Sequence, residues 1–140
     1  VIEGAFQTMP TEEVSHANAS LGRFVRSVAS ADVWMRRHPP KVEFYGPSFE
    51  GSRVKPTHPL IGILGRSAQD VLKRFPLISA FPTSCDMRLC TNHGGTPSLI
   101  FGPGSLRRAH FPDEYVELGQ YVSAIKVFAL AIMNWCGLST

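Results

Sequence analysis

The sequence predicts an α/β protein whose helices cover a largely parallel sheet. Short β-branched and apolar stretches alternate with longer stretches in which apolar residues recur every three or four positions, as in strand–helix–strand units. The chain has 140 residues, of which 44% are hydrophobic and 18% are charged. This is enough apolar material for an ordinary globular core.

The first 46 residues are predicted to form a strand, a helix and a second strand. Residues 1–8 mix β-branched and aromatic side chains and stop before Pro10. We expect Thr11 to cap the helix that follows, with acidic residues in its first turn. The prolines after His38 end this helix, and residues 41–45 alternate polar and apolar as a strand does. The apolar stripe of the helix consists of Val14, Ala17, Leu21, Phe24, Val25, Val28 and Ala31.

A linker is predicted at residues 47–59, because residues 46–59 hold three prolines and two glycines and show little periodicity. Helices and strands alternate again in residues 60–140. The predicted order is a helix at 60–72, a short buried strand at 77–81, a short helix at 86–92, a strand at 98–101 and a last helix at 117–136.

The ends and the buried face of the later helices are also predicted. Gly94 and Gly95 should stop the short helix, and Gly137 should end the last one. One stripe of the last helix is expected to face the core; it consists of Val122, Ile125, Phe128, Ala129, Ile132 and Met133.

Composition argues against several classes of partner. The net charge is only +3 and the basic residues are scattered, so we expect no nucleic-acid binding. No apolar run is long enough for a membrane span. Three cysteines, an odd number without CxxC spacing, indicate buried free thiols in a reducing cytoplasm. Because Val1 opens a strand-like run, we expect the natural chain to continue upstream.

One loop combines residue types that are suited to chemistry. Gly102 and Gly104 would let a ligand approach the backbone closely, and His110 follows them, just ahead of Asp113 and Glu114. An imidazole in such a loop can bind a metal ion or move a proton. A histidine that is merely hydrogen-bonded at a strand end explains the same residues equally well.

A second set of polar residues lies where the predicted strand at 77–81 gives way to the short helix. The Ser84 hydroxyl and the Arg88 guanidinium could together receive a carboxylate. The local sequence favours a plainer alternative, a hydroxyl cap with a surface ion pair between Asp86 and Arg88. Cys85 could also act as a nucleophile, but the sequence does not identify its base.

Together these two sets resemble the C-terminal motifs of the zinc-dependent aminoacylase family, which includes acetylornithine deacetylase and succinyl-diaminopimelate desuccinylase. Residues 86–88, Asp-Met-Arg, resemble the family's Asp-Ala-Arg. Residues 96–104 resemble its Ile-Pro-Thr-Val-Val-Phe-Gly-Pro-Gly, and residues 109–116 resemble its Ala-His-x-Pro-Asp-Glu-x-Val. Residues 2–10 and 38–43 are similar to the second half of its inserted dimerisation domain.

The resemblance implies an architecture and an activity. Residues 1–46 would be the second half of an α+β dimerisation or lid domain, and residues 60–140 the C-terminal part of a mostly parallel-sheet catalytic domain. The parent protein would be a metallopeptidase-type hydrolase, a deacetylase or related deacylase, acting on N-acyl amino acids or dipeptide-like amides. It would use two zinc ions, or cobalt or manganese in their place, and would dimerise through the lid.

The resemblance also implies roles for individual residues. His110 would bind metal, Ser84, Arg88, Gly102 and Gly104 would hold the substrate, and Asp86, Asp113 and Glu114 would orient these groups. The family's general base and its other metal ligands lie upstream of residue 1, so these 140 residues alone are expected to be inactive.

Two alternatives stay open. The chain could be a non-catalytic interaction fragment that pairs through an exposed strand edge at residues 1–7. It could also be a cysteine hydrolase that uses Cys85 with His110.

Overall fold

The computed structural model describes residues 1–137 and consists of helices joined by irregular segments. In chain order these are α1 (Val14–Ala31), α2 (Val33–Arg37), α3 (Pro59–Leu72), a π-helical turn (Leu89–His93) and α4 (Leu118–Cys136). They fall into two compact units. Unit 1 holds Val1–Arg53 and Pro82–Thr96, and unit 2 holds Val54–Phe81 and the segment that starts at Pro97.

The predicted α/β class is wrong, because no strand occurs anywhere in residues 1–137. The four stretches predicted as strands, at 1–8, 41–45, 77–81 and 98–101, have irregular backbone. Their composition favours extended backbone, but a strand also needs a neighbour that pairs with its N–H and C=O groups. Leu77 is 90% exposed, so the stretch predicted as a buried strand is not buried. The described part of the chain thus contains neither the parallel sheet of a catalytic domain, nor the strands of an α+β lid domain, nor a strand edge at residues 1–7.

The long helix predicted for the first 46 residues is confirmed, but it starts later than expected. The residue at its N-cap is Glu13, not Thr11, and the Ala17 N–H donates to the Glu13 carbonyl at 3.0 Å. Its apolar stripe is buried unevenly, since Ala17 is buried whereas Phe24 is exposed. The buried residues of α1 are all small: Ala17, Gly22 and Ala29.

The short helix α2 follows α1 directly and packs against it. The Asp32 carboxylate caps it by accepting from the N–H groups of Trp34 at 2.9 Å and Met35 at 2.7 Å. At its end the ring of His38 stacks on that of Trp34, with centroids 4.7 Å apart. The helix stops before Pro39 and Pro40, as predicted from the proline pair.

In unit 2, α3 and α4 pack against each other, and the buried residues of both helices are small. The Asn134 side chain of α4 donates from Nδ2 to the Ser67 hydroxyl of α3 at 3.2 Å. Small side chains allow two helix axes to approach closely. The buried positions are Gly65, Ser67 and Ala68 on α3, and Ala124 and Val127 on α4.

The face of α4 that was predicted to be buried is exposed. Ile132, for example, is 61% exposed, and Val122, Ile125, Phe128 and Met133 are exposed as well. The helix carries apolar residues on nearly all sides and has a single charged residue, Lys126. The spacing of apolar residues therefore could not predict which face of α4 is buried. The face that packs against α3 is the one with the smaller residues Ala124 and Val127.

The end of α3 places an aromatic ring against a glycine. Lys73 adopts a left-handed conformation with φ 58° and ends the helix. The Phe75 ring then lies beside Gly65, where an added Cβ would come within 2.5 Å of the ring carbon Cζ. A side chain at position 65 would therefore displace Phe75.

Two glycines of α3 provide a matched test of this packing. Gly65→Ala is expected to lower the free energy of unfolding by about 1–3 kcal/mol, because the new methyl group overlaps the Phe75 ring. Gly62→Ala meets only the flexible end of Arg66 and should raise stability by about 0.5–1 kcal/mol through helix propensity. Urea unfolding measures both, and equal effects of the two substitutions would contradict the packing described for Phe75.

Candidate functional site

The polar residues predicted between the strand at 77–81 and the short helix line a pocket in unit 1. Ser84, Cys85, Asp86 and Arg88, together with Phe49, surround an open cavity of about 200 Å³, hereafter the arginine pocket. Cys85 and Arg88 are half-buried, whereas Ser84 and Asp86 are exposed. The pocket therefore offers a hydroxyl, a carboxylate, a thiol and a guanidinium to one small molecule.

The side chain of Arg88 lies over an aromatic ring. Its guanidinium carbon is 4.7 Å from the centroid of Phe49. Within residues 1–137 the ion pairs are Lys41–Glu43 and Glu50–His93, so Arg88 has no carboxylate partner there. The helical turn after Arg88 has no side-chain cap either. The surface ion pair with Asp86 and the hydroxyl cap, which the local sequence favoured, are thus both absent.

The short helix predicted at 86–92 is a π-helical turn that begins immediately after Arg88. Its wide hydrogen bond runs from the Gly94 N–H to the Leu89 carbonyl at 2.8 Å. Single π turns are frequent at functional sites, because they shift side chains relative to a regular helix. Here Asn92 donates from Nδ2 to the Gly51 carbonyl at 3.1 Å, and His93 pairs with Glu50.

The predicted loop with Gly102, Gly104 and His110 lies in unit 2 and spans residues 102–114, hereafter the histidine loop. Gly104 has φ +95°, and its N–H donates to Oε1 of Gln120 on α4 at 3.0 Å. No atom lies within 4 Å of the position that a Cβ would occupy on Gly102. The loop is thus attached to α4 at one glycine and leaves the backbone open at the other.

His110 has an unusual backbone conformation. Its φ of 65° lies in the left-handed region, which few residues other than glycine adopt. The His110 N–H donates to Oε2 of Glu114 at 3.0 Å, and the Glu114 N–H donates to the Phe111 carbonyl at 3.1 Å. These two bonds close a tight turn on which the exposed His110 side chain is presented.

The predicted site residues form two groups in different units. Ser84, Asp86 and Arg88 surround the arginine pocket, while Gly102, Gly104, His110, Asp113 and Glu114 belong to the histidine loop. No group of three or more His, Cys, Asp or Glu side chains in residues 1–137 is arranged to hold a metal ion. Because a zinc site needs three or four ligands, the described residues do not form a complete one.

Sequence reasoning missed two residues that shape these groups. Phe49 lies in the predicted linker. It is a lone aromatic residue in a stretch rich in proline and glycine, and this was the one feature of the sequence that could have indicated a contact there. Gln120 showed no signal, because a polar residue in the first turn of a helix is ordinary.

The three cysteines are free thiols, as predicted, but the expected burial is wrong: Cys90 and Cys136 are exposed and Cys85 is half-buried. Cys85 lies in the arginine pocket, and no histidine lines that pocket.

Of the helices described, none is both long and apolar enough to cross a bilayer.

Comparison with known proteins gives a family match and two curated relatives. The model of peptidase family M20/M25/M40 matches residues 5–134. The N-formyl-4-amino-5-aminomethyl-2-methylpyrimidine deformylase of Bacillus subtilis (strain 168) is 29% identical over 135 residues, which cover 91% of this chain and 32% of the relative. The deformylase of the same name from Halalkalibacterium halodurans is 33% identical over 119 residues, 79% of this chain and 28% of the relative. The chain thus spans about a third of the length of these relatives, and no solved structure matches it.

The hydrogen bond between His110 and Glu114 can be tested by amide exchange. Glu114→Ala removes the acceptor of the His110 N–H, so exchange at His110 should become about five- to tenfold faster. Asp113→Ala is the matched control and should leave this rate unchanged. Residue-resolved hydrogen exchange measures both variants, and an unaltered rate at His110 in Glu114→Ala would refute the proposed closure of the turn.

Proposed function

Because this chain belongs to peptidase family M20/M25/M40, we propose that it is part of a hydrolase that cleaves the amide bond of a small N-acylated amine. The observation that carries the proposal is the family match, which extends over residues 5–134. Two relatives whose names describe deformylases support it. Enzymes of this family are generally metal-dependent.

The favoured substrate is an N-formyl derivative of a small planar amine, of the kind that the names of both relatives describe. A second candidate is an N-acyl amino acid or a dipeptide-like amide. It is favoured by Arg88, which has no carboxylate partner among the described residues and whose planar guanidinium can bind a substrate carboxylate through two hydrogen bonds.

The proposed roles follow the two groups of residues. Ser84 and Arg88 hold the part of the substrate that does not react, because both line the arginine pocket. Gly102 and Gly104 let the substrate approach the backbone of the histidine loop. Asp86, Asp113 and Glu114 orient these segments, and the hydrogen bond from His110 to Glu114 is an example of such a contact.

In the proposed reaction a water oxygen bonds to the acyl carbon, the C–N bond breaks, and the amine nitrogen takes up a proton. None of the residues assigned above acts as the general base, which we expect in another part of the protein. The described residues also lack a complete metal site. Because residues 109–116 resemble the family motif, we assign His110 as one metal ligand and expect the remaining ligands outside these 140 residues, with two zinc ions, or cobalt or manganese, as the metal. These residues alone should hydrolyse no amide.

We further propose that the protein is a cytoplasmic homodimer that associates through residues 1–46, with residues 60–140 belonging to the hydrolase part. Three large apolar side chains in the first of these regions, Phe24, Val33 and Trp34, are exposed and would be buried by a second copy. The three free thiols suit a reducing compartment. The same exposed side chains would serve a non-catalytic interaction fragment, which differs from the hydrolase in having no turnover.

The test uses the full-length, metal-loaded protein with a formylated aminomethylpyrimidine and with N-acetyl amino acids as substrates. His110→Ala should lower the bound metal, measured by mass spectrometry, to about half or less, and should lower kcat/KM by about 100-fold. His16→Ala, an exposed histidine on α1, is the control and should change neither quantity.

Three results would contradict this account. Unchanged metal content and turnover in His110→Ala would remove His110 from the metal site. Hydrolysis that survives chelators but is lost on alkylation of Cys85 would instead establish the cysteine hydrolase, and the absence of any amide hydrolysis would favour the interaction fragment.

A further inference from the structure

We propose that Phe49 is a positioning residue for Arg88, and that the segment Phe49–Gly51 thereby sets the affinity of the arginine pocket for its substrate. The inference rests on the proposed function, in which Arg88 binds the substrate. It adds a residue outside the motif at 86–88 and gives a role to a segment that the sequence marked only as a linker.

The guanidinium of Arg88 lies over the face of the Phe49 ring. Its central carbon lies 4.7 Å from the centroid of the Phe49 ring, well within the range of about 6 Å over which a cation is attracted to an aromatic face. No carboxylate among residues 1–137 forms an ion pair with Arg88. The ring therefore restrains a long side chain while leaving the guanidinium N–H groups available to an acceptor on the substrate.

The segment that carries Phe49 is itself held in place by contacts with the turn Leu89–His93 and its N-cap residue Arg88. Three consecutive residues contact the turn Leu89–His93 or its N-cap residue. The Phe49 ring contacts Arg88, the N-cap residue. The Glu50 side chain hydrogen-bonds the ring of His93, and the Gly51 carbonyl accepts from Nδ2 of Asn92. Asn92 and His93 follow Arg88 by four and five positions, which is about one helical turn. The three partners therefore lie on the same side of the helix. The segment Phe49–Gly51 is thus docked along that side of the turn.

The backbone of Gly51 lies close to the backbone of Pro10. A Cβ there would lie 2.5 Å from the Cα of Pro10, a backbone atom that cannot swing aside. The segment is thus confined between Pro10 and the turn. A ring on a confined segment restricts Arg88 to fewer orientations, and a bidentate contact to a planar group depends on that orientation.

The test compares three variants of the full-length, metal-loaded protein. Phe49→Leu removes the aromatic face with little change in volume, and Phe49→Trp keeps an aromatic face. Phe44→Leu is the matched control, because Phe44 lies in the same unit, is 44% exposed against 45% for Phe49, and packs on Phe6. Circular dichroism of each variant establishes that the comparison is made on folded protein.

The first readout is the rate at which phenylglyoxal modifies Arg88, followed by mass spectrometry with the exposed Arg74 as internal reference. Modification of Arg88 should be roughly two- to fivefold faster in Phe49→Leu. It should be no faster than in the unsubstituted protein in Phe49→Trp and in Phe44→Leu. An unchanged rate in Phe49→Leu, or an equal rise in Phe44→Leu, would overturn the inference.

The second readout is the division of the kinetic effect between KM and kcat. Phe49→Leu should raise KM roughly two- to fivefold and change kcat by less than about twofold, with Phe49→Trp close to the unsubstituted protein. If Arg88→Ala raises KM while Phe49→Leu changes neither KM nor the modification rate, the inference is wrong and the proposed function stands. If no amide is hydrolysed, the proposed function fails, and the modification rates still decide whether Phe49 positions Arg88.

Discussion

The contact of the segment Phe49–Gly51 with the turn Leu89–His93 and its N-cap residue Arg88 is the constraint on which the arginine pocket depends. It combines a cation–π contact, a hydrogen bond between the side chains of Glu50 and His93, and a hydrogen bond from a side chain to the backbone, on three consecutive residues. Each is weak at an exposed site, about 0.5–1 kcal/mol for the cation–π contact. Together they bring two segments that are distant in sequence to one pocket, which Phe49 and residues 84–88 line.

The histidine loop depends on a different constraint, the packing of α4 against α3. Small residues at the buried positions let these helices approach, and the hydrogen bond from Asn134 to Ser67 links them. Gln120 of α4 then accepts from the Gly104 N–H, which attaches the loop to the helix pair. At the other end of the loop, Glu114 holds His110 in a left-handed conformation. Helix packing, loop conformation and the presentation of His110 are thus connected by particular contacts.

Sequence reasoning succeeded where the determinants are local. The helices α1, α3 and α4 follow from periodicity, prolines and glycines within each segment. Strands were wrongly predicted because pairing depends on neighbours that the local pattern does not contain, and the buried face of α4 was wrong because that helix is apolar on nearly all sides. The residues around the arginine pocket could be identified from the motif at 86–88, but Phe49 could not, because its contact with Arg88 joins parts of the chain far apart in sequence.

A double-mutant cycle on Phe49 and Arg88 tests the central contact most directly. The free energy of unfolding is measured for Phe49→Leu, Arg88→Met and the double variant. If the ring and the guanidinium interact as described, the double variant should be less destabilised than the sum of the single variants, with a coupling energy of about 0.5–1 kcal/mol. Strict additivity of the two substitutions would contradict the account.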